Sequence, residues 1–135
     1  MPLGSSLEAL GAALYKLVSS DAAIRNLTGR VYDTYAPTEA AYPYTVIGEW
    51  TEVSDDILAR QGRQATVSIH VYSRYQGSSE IKRIVNRLTE LLARASLVVS
   101  GWNAVSSELE SIVTLVEPGP TQHAVCRFRW RLSPK

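Results

Sequence analysis

His70, His123 and Cys126 are the side chains of this 135-residue chain with the chemistry for acid-base or nucleophilic work. His123 and Cys126 stand three apart in a strand-like run, so they point to opposite faces and form no direct Cys-His pair unless the strand bulges. Neither histidine falls in a recognisable motif. There is no His/Cys cluster with zinc spacing, no Gly-x-Gly-x-x-Gly, no phosphate loop and no Gly-x-Ser-x-Gly. Adjacent Asp55 and Asp56 could hold a cation weakly, but a solvated acidic turn is the better reading of the pair. The expectation is a chain with no catalytic residues, no cofactor and no metal site.

The pattern that carries information is the last strand-like run, His123 to Leu132. It sets Ala124, Cys126, Phe128, Trp130 and Leu132 against Val125, Arg127, Arg129 and Arg131. On a strand this gives an apolar face for a core and an arginine ladder opposite, with steps of roughly 6.6 Å. Three guanidinium groups on one sheet face require water, carboxylate or phosphate around them. They could line a channel and touch passing DNA, or pair with carboxylates such as Glu108 or Glu110 on an adjoining strand or in a neighbouring subunit, and pairing is the better reading.

The elements that must position this ladder follow from periodicity. Leu7, Leu10, Leu14, Leu17 and Val18 recur at spacings of three and four, which predicts a helix from about Ser6 to Ser19, with Ser5 and Glu8 as a capping box. Asp21 caps a short turn, Ala22 to Leu27, closed by Gly29. Asp33 to Pro43 holds two prolines and no period, so it reads as an irregular connection. Tyr44 to Val53 reads as a strand with Tyr44, Val46 and Trp50 on one side and Thr45, Ile47, Glu49 and Thr51 on the other. Arg63 to Ser73 is a second strand, with Ala65, Val67, Ile69 and Val71 inward. Between them, Ser54 to Gly62 is longer than a tight hairpin needs and should project from the sheet. Its Asp55, Asp56, Ile57, Leu58 and Arg60 are expected to form an assembly loop, because apolar side chains amid charge on a projecting loop usually seek a surface.

Ser78 or Ser79 starts the most regular helix, striped by Ile81, Ile84, Val85, Leu88, Leu91, Leu92 and Ala95, with Lys82, Arg83, Arg87, Glu90 and Arg94 opposite. Strands at about Glu108 to Glu117 and at the ladder finish the chain, joined by Pro118-Gly119-Pro120. The predicted fold is α+β: residues 1 to 135 as one domain, a four-stranded, mainly antiparallel sheet with two main helices on one face.

Composition agrees with a single globular domain, at 45% apolar and 20% charged residues, and excludes disorder and a helical membrane span. Without a signal-like start, a cytoplasmic product is expected. The net charge of +1 conceals a split. Residues 1 to 67 hold five basic and eight acidic side chains, and residues 68 to 135 hold nine and five. Opposite signs on one small molecule suit head-to-tail self-association. Tyr32, Tyr35, Tyr42, Tyr44, Tyr72 and Tyr75 with Trp50 lack the interleaved basic run of a base-stacking surface and fit a subunit interface better.

Taken in order, the leucine-striped helix, Ser19-Ser20-Asp21-Ala22-Ala23-Ile24, Gly29-Arg30-Val31-Tyr32, Ala36-Pro37 and Pro43-Tyr44-Thr45-Val46-Ile47 resemble the start of tail-completion proteins of long-tailed phages. These are also called tail terminators or tail-to-head joining proteins. The acidic loop, the Val67-Ser68-Ile69-His70-Val71-Tyr72 strand and the Ile81 to Ala95 helix follow in the family's order. The resemblance implies a structural virion protein assembled in the host cytoplasm. It would form a homo-oligomer, a hexameric ring, at the head-proximal end of the tail. Its partners would be the tail tube protein and the head-tail connector protein, with non-specific contact to DNA in transit and no membrane. Arg127, Arg129 and Arg131 would then face a neighbouring subunit or the channel. The alternative reading is a small nucleic-acid-binding domain using the arginine-lined sheet face, against which the near-neutral charge counts.

Overall fold

A computed structural model describes residues 3–58 and 60–135. The elements run α1 (Leu7–Ser20), α2 (Ala22–Thr28), β1 (Arg30–Asp33), β2 (Tyr44–Ser54), β3 (Arg63–Ser73), α3 (Ser79–Leu92), β4 (Trp102–Val116) and β5 (Gln122–Pro134). The strands form one sheet in the order β1-β2-β3-β5-β4, with β1 parallel to β2 and every other pairing antiparallel. The expected α+β plan is therefore present with five strands in place of four, and the short turn expected at Ala22 to Leu27 is the helix α2. The missed strand, β1, is four residues long, too short to display a period of two. It lies parallel to β2 beside Tyr44 to Ile47, a pairing that local sequence does not announce.

The core lies between the helices and one sheet face. Leu10, Leu14 and Val18 of α1, Ile24 of α2, and Ile81, Ile84, Val85, Leu88 and Leu92 of α3 pack on Ala65, Val67, Ile69 and Val71 of β3 and on Ala124, Cys126, Phe128, Trp130 and Leu132 of β5. Central β3 and β5 keep their alternation because each is paired on both sides, with one another over eleven residues without a break.

Strand β2 departs from its expected faces. A bulge between Ile47 and Trp50 sets Gly48 and Glu49 against a single step of β3, so Trp50 comes opposite Val67 on the helix side with Thr45 and Ile47, while Glu49 turns to the open side. Glycine suits the bulge, since a Cβ at position 48 would stand 3.2 Å from the His70 ring.

The helix ends are tied across the fold. Ser6 is fully buried and donates its N–H (2.9 Å) and its hydroxyl to Glu52 of β2, so an acid from another element replaces the expected Ser5-Glu8 box at the start of α1. Asp21 accepts the Ile24 N–H at 3.0 Å to cap α2 and binds Arg87 of α3 as well. Gly29 ends α2 at φ 72°, a left-handed value that a side chain would strain. Strand β4 begins at Trp102, six residues before the expected start, because Trp102 and Ala104 pair with Pro134 and Leu132. Ser107 closes the corner, donating to Leu92 O and accepting from Ala95 N–H.

Candidate functional site

The sheet face turned away from the helices is covered by side chains alone. Along one end run four aromatic rings: Tyr42 to Tyr44 at 5.0 Å between centroids, Tyr44 to Tyr72 at 5.0 Å, and Tyr72 to His123 at 4.3 Å, nearly parallel. The Arg74 guanidinium lies 4.2 Å from the centre of Tyr42. Tyr32 meets Tyr44 edge-on. Burial, with the neighbouring Tyr42, pushes the Tyr44 hydroxyl up to about 12, so that phenol stays neutral. Of the tyrosines read as interface candidates, Tyr32, Tyr42, Tyr44 and Tyr72 thus pack on one another, while Tyr35 and Tyr75 stand exposed.

Beside the stack runs a chain of four titratable groups from three strands and the end of a fourth. The Glu49 carboxylate lies 2.8 and 2.9 Å from His70 Nε2, His70 Nδ1 lies 2.7 Å from His123 Nε2, and His123 Nδ1 lies 2.7 Å from Glu117 Oε1. Three hydrogen bonds require three ring protons, whereas two neutral imidazoles carry two. One added proton completes the chain; a second sets two N–H groups head to head. Burial holds His123 below the usual imidazole value against the pull of Glu117, and a charge on His70 lowers it further. Glu49 feels burial pushing it upward, but hydrogen bonds from backbone and His70 prevail and hold it low.

This arrangement offers hydrogen-bonded positions for a proton between the two rings and links β2, β3, β5 and the end of β4. Its ring nitrogens are all engaged, and among the described residues no three of His, Cys, Asp and Glu converge to hold a metal ion. Cys126 lies on the opposite, core face, fully buried, its thiol pushed up to about 12 by burial.

The arginine ladder splits into three situations. Arg129 Nη2 donates to Glu108 Oε2 of β4 at 2.7 Å, across a paired register position. Arg131 Nε lies 3.8 Å from Asp55 Oδ2, which ties the ladder to the 54–62 loop. Arg127, between Ser68 and Ser111, has no ion partner among the described residues, and its Nε is buried without a hydrogen bond. In the loop, Asp56 Oδ1 accepts the Gly62 N–H at 2.9 Å and stands 3.6 Å from Arg63, while Ile57 and Arg60 exchange backbone hydrogen bonds. The Ile57 and Leu58 side chains are exposed. Arg60 is exposed at the turn's end.

Two features lay outside the reach of the sequence. The His70-His123 contact needs β3 beside β5, which only the strand order supplies. The edge strand β4 bares Leu109, Ile112, Val113, Leu115 and Val116 on both faces, and its mixed run hid this by resembling an ordinary buried strand.

Comparison with known proteins completes the description. The profile of a family described as tail completion protein gp17 matches residues 12–133. A solved structure described as the virion of a native gene transfer agent particle superposes with a TM-score of 0.88 at 24% identity, over 97% of this chain and 99% of that one. Another superposes with a TM-score of 0.56 at 13% identity, over 98% and 97% of the two chains. These likenesses establish the fold. A search of curated proteins finds no match.

Proposed function

Because the chain belongs to the tail completion protein gp17 family, and is a structural, non-enzymatic component of a phage-like tail, we propose that it forms a ring on the head-proximal end of the tail tube. The ring, of six subunits, ends tube polymerisation and presents a docking face to the head connector. The observation that carries this reading is the family match across residues 12–133.

Physical features support it. A ring subunit needs several faces, and this one has a helix layer, a bare sheet face and a projecting loop. Strand β4 leaves apolar side chains and backbone groups open along an edge, as a protein does where another chain will cover them. The pairing of Arg129 with Glu108 and of Arg131 with Asp55 leaves Arg127 alone of the ladder without an ion partner among the described residues. That suits a surface over which DNA slides better than one that grips it, since each phosphate contact adds salt-dependent affinity.

Native mass spectrometry and negative-stain imaging of the purified protein, alone and mixed with its tail tube protein, test the proposal. A species of about six times the 14.9 kDa chain, or rings at tube ends with tube growth arrested, is the expected result. Monomer alone under both conditions would overturn it.

A further inference from the structure

Resting on the ring reading above, we infer that neighbouring copies join edge to edge, with β4 of one copy seated in the cleft beside β1 of the next. Each of the two sheet edges leaves apolar side chains and an unpaired charge of opposite sign exposed. Strand β4 is a 15-residue edge with no proline and no lysine to blunt it. Along its second half Ile112 is 42%, Val113 52% and Val116 75% exposed, on both faces of the strand. Its bulge between Leu109 and Ser111 lifts out Glu110, which is exposed and has no ion partner among the described residues.

At the opposite edge the sheet ends in a depression. Strand β1, the end of α2 and the 37–43 segment enclose an open cleft of about 640 Å³, walled by Leu27, Tyr32, Tyr42 and Pro43 together with the polar Asn26 and Glu39. Arg30 lines it, exposed, with no carboxylate partner among the described residues and only the face of Tyr32 at 6.0 Å. An apolar ridge carrying one free carboxylate thus lies at one end of the molecule, and at the other a partly apolar cleft whose Arg30 guanidinium, with the Glu39 carboxylate on the same cleft, has no ion partner among the described residues. The occupant that satisfies both is a second copy of this chain. Because the two surfaces differ and sit at opposite sheet edges, the contact is head-to-tail, the kind that closes into a ring and not into a two-fold dimer. Pairing of Arg30 with Glu110 inside an apolar rim fixes the register of one copy on the next.

Charge reversal tests the contact on the full-length protein, under the conditions where the wild type assembles. Arg30→Glu sets two carboxylates together at each junction, and Glu110→Arg sets two guanidinium groups together. Both residues are exposed, so circular dichroism and melting temperature should match the wild type. Each variant alone should need at least about tenfold more protein for half-assembly, as like charges in a contact demand. The Arg30→Glu/Glu110→Arg double variant should recover assembly. So should an equimolar mixture of the two single variants, because strand and cleft then alternate in sign around a ring of even number. Single variants that assemble like the wild type would overturn the inference while leaving the ring reading intact. So would single variants that fail and whose mixture also fails. Single variants that form rings but no longer engage tubes would assign the β4 edge to the tube protein and overturn it as well. A wild type that stays monomeric, alone and with tube ends, removes the ring reading and this contact together.

Discussion

Nδ1 of His70 lies 2.7 Å from Nε2 of His123, and each ring turns its other nitrogen to a glutamate, Glu49 for His70 and Glu117 for His123. The chain fastens the β2 bulge to the turn that follows β4. It therefore ties three strands and the end of β4 together through groups that can take up protons.

His123 binds a proton less readily in the folded chain than in the unfolded one, because it is buried. A group with a lowered folded pKa contributes stability that is present above its unfolded value, near 6.5, and is lost as the pH falls. The melting temperature should accordingly drop between about pH 7.5 and pH 5, and His123→Gln should flatten that drop. An unchanged slope in the variant would mean that other groups govern the acid limb.

At lower pH a second pair takes over. Arg87 holds the Asp21 carboxyl below its ordinary value by hydrogen bonds of 2.9 and 2.6 Å, opposed by burial and helped by the Ile24 N–H. Its contribution is present above about pH 3.8 and lost as the pH falls further. Asp21→Ala should cost about 1 kcal/mol through loss of the α2 cap. Arg87→Ala should lower the melting temperature at pH 7 and make it less sensitive to acid below pH 4, measured by calorimetry.

The Ile57 and Leu58 side chains touch little of their own subunit. Replacing both with Ser should leave the circular dichroism and melting temperature nearly unchanged and weaken assembly or tube capping. A large loss of stability in the isolated subunit would return them to its own core.

Changing Arg127, Arg129 and Arg131 together to Gln removes the Glu108 and Asp55 pairs. These pairs are exposed, so the isolated subunit should lose no more than about 1 kcal/mol. Wild-type binding to double-stranded DNA should be negligible at physiological salt, by fluorescence anisotropy. Tight binding that the triple change abolishes, with assembly untouched, would promote the nucleic-acid reading.

Local pattern was enough for the elements whose burial is one-sided. The α3 stripe, the alternation of β3 and β5, the Asp21 cap and the placing of Cys126 and His123 on opposite faces all follow from spacings of 3.6 and 2, which are properties of the backbone. The family was also legible, because the order of these elements and their turn residues is itself a sequence property. What the sequence left open depends on neighbours far along the chain. The parallel pairing of β1, the bulge that turns Trp50 inward and Glu49 outward, and the start of β4 at Trp102 are fixed by partner strands, not by their own composition. The helix start at Ser6 takes its acid from Glu52, 46 residues away. The histidine chain joins residues 53 apart, and the exposed edge of β4 exists only because the strand order leaves it last. Periodicity tells a strand which face is apolar; only the completed sheet decides which strand stands beside it and whether that face is covered.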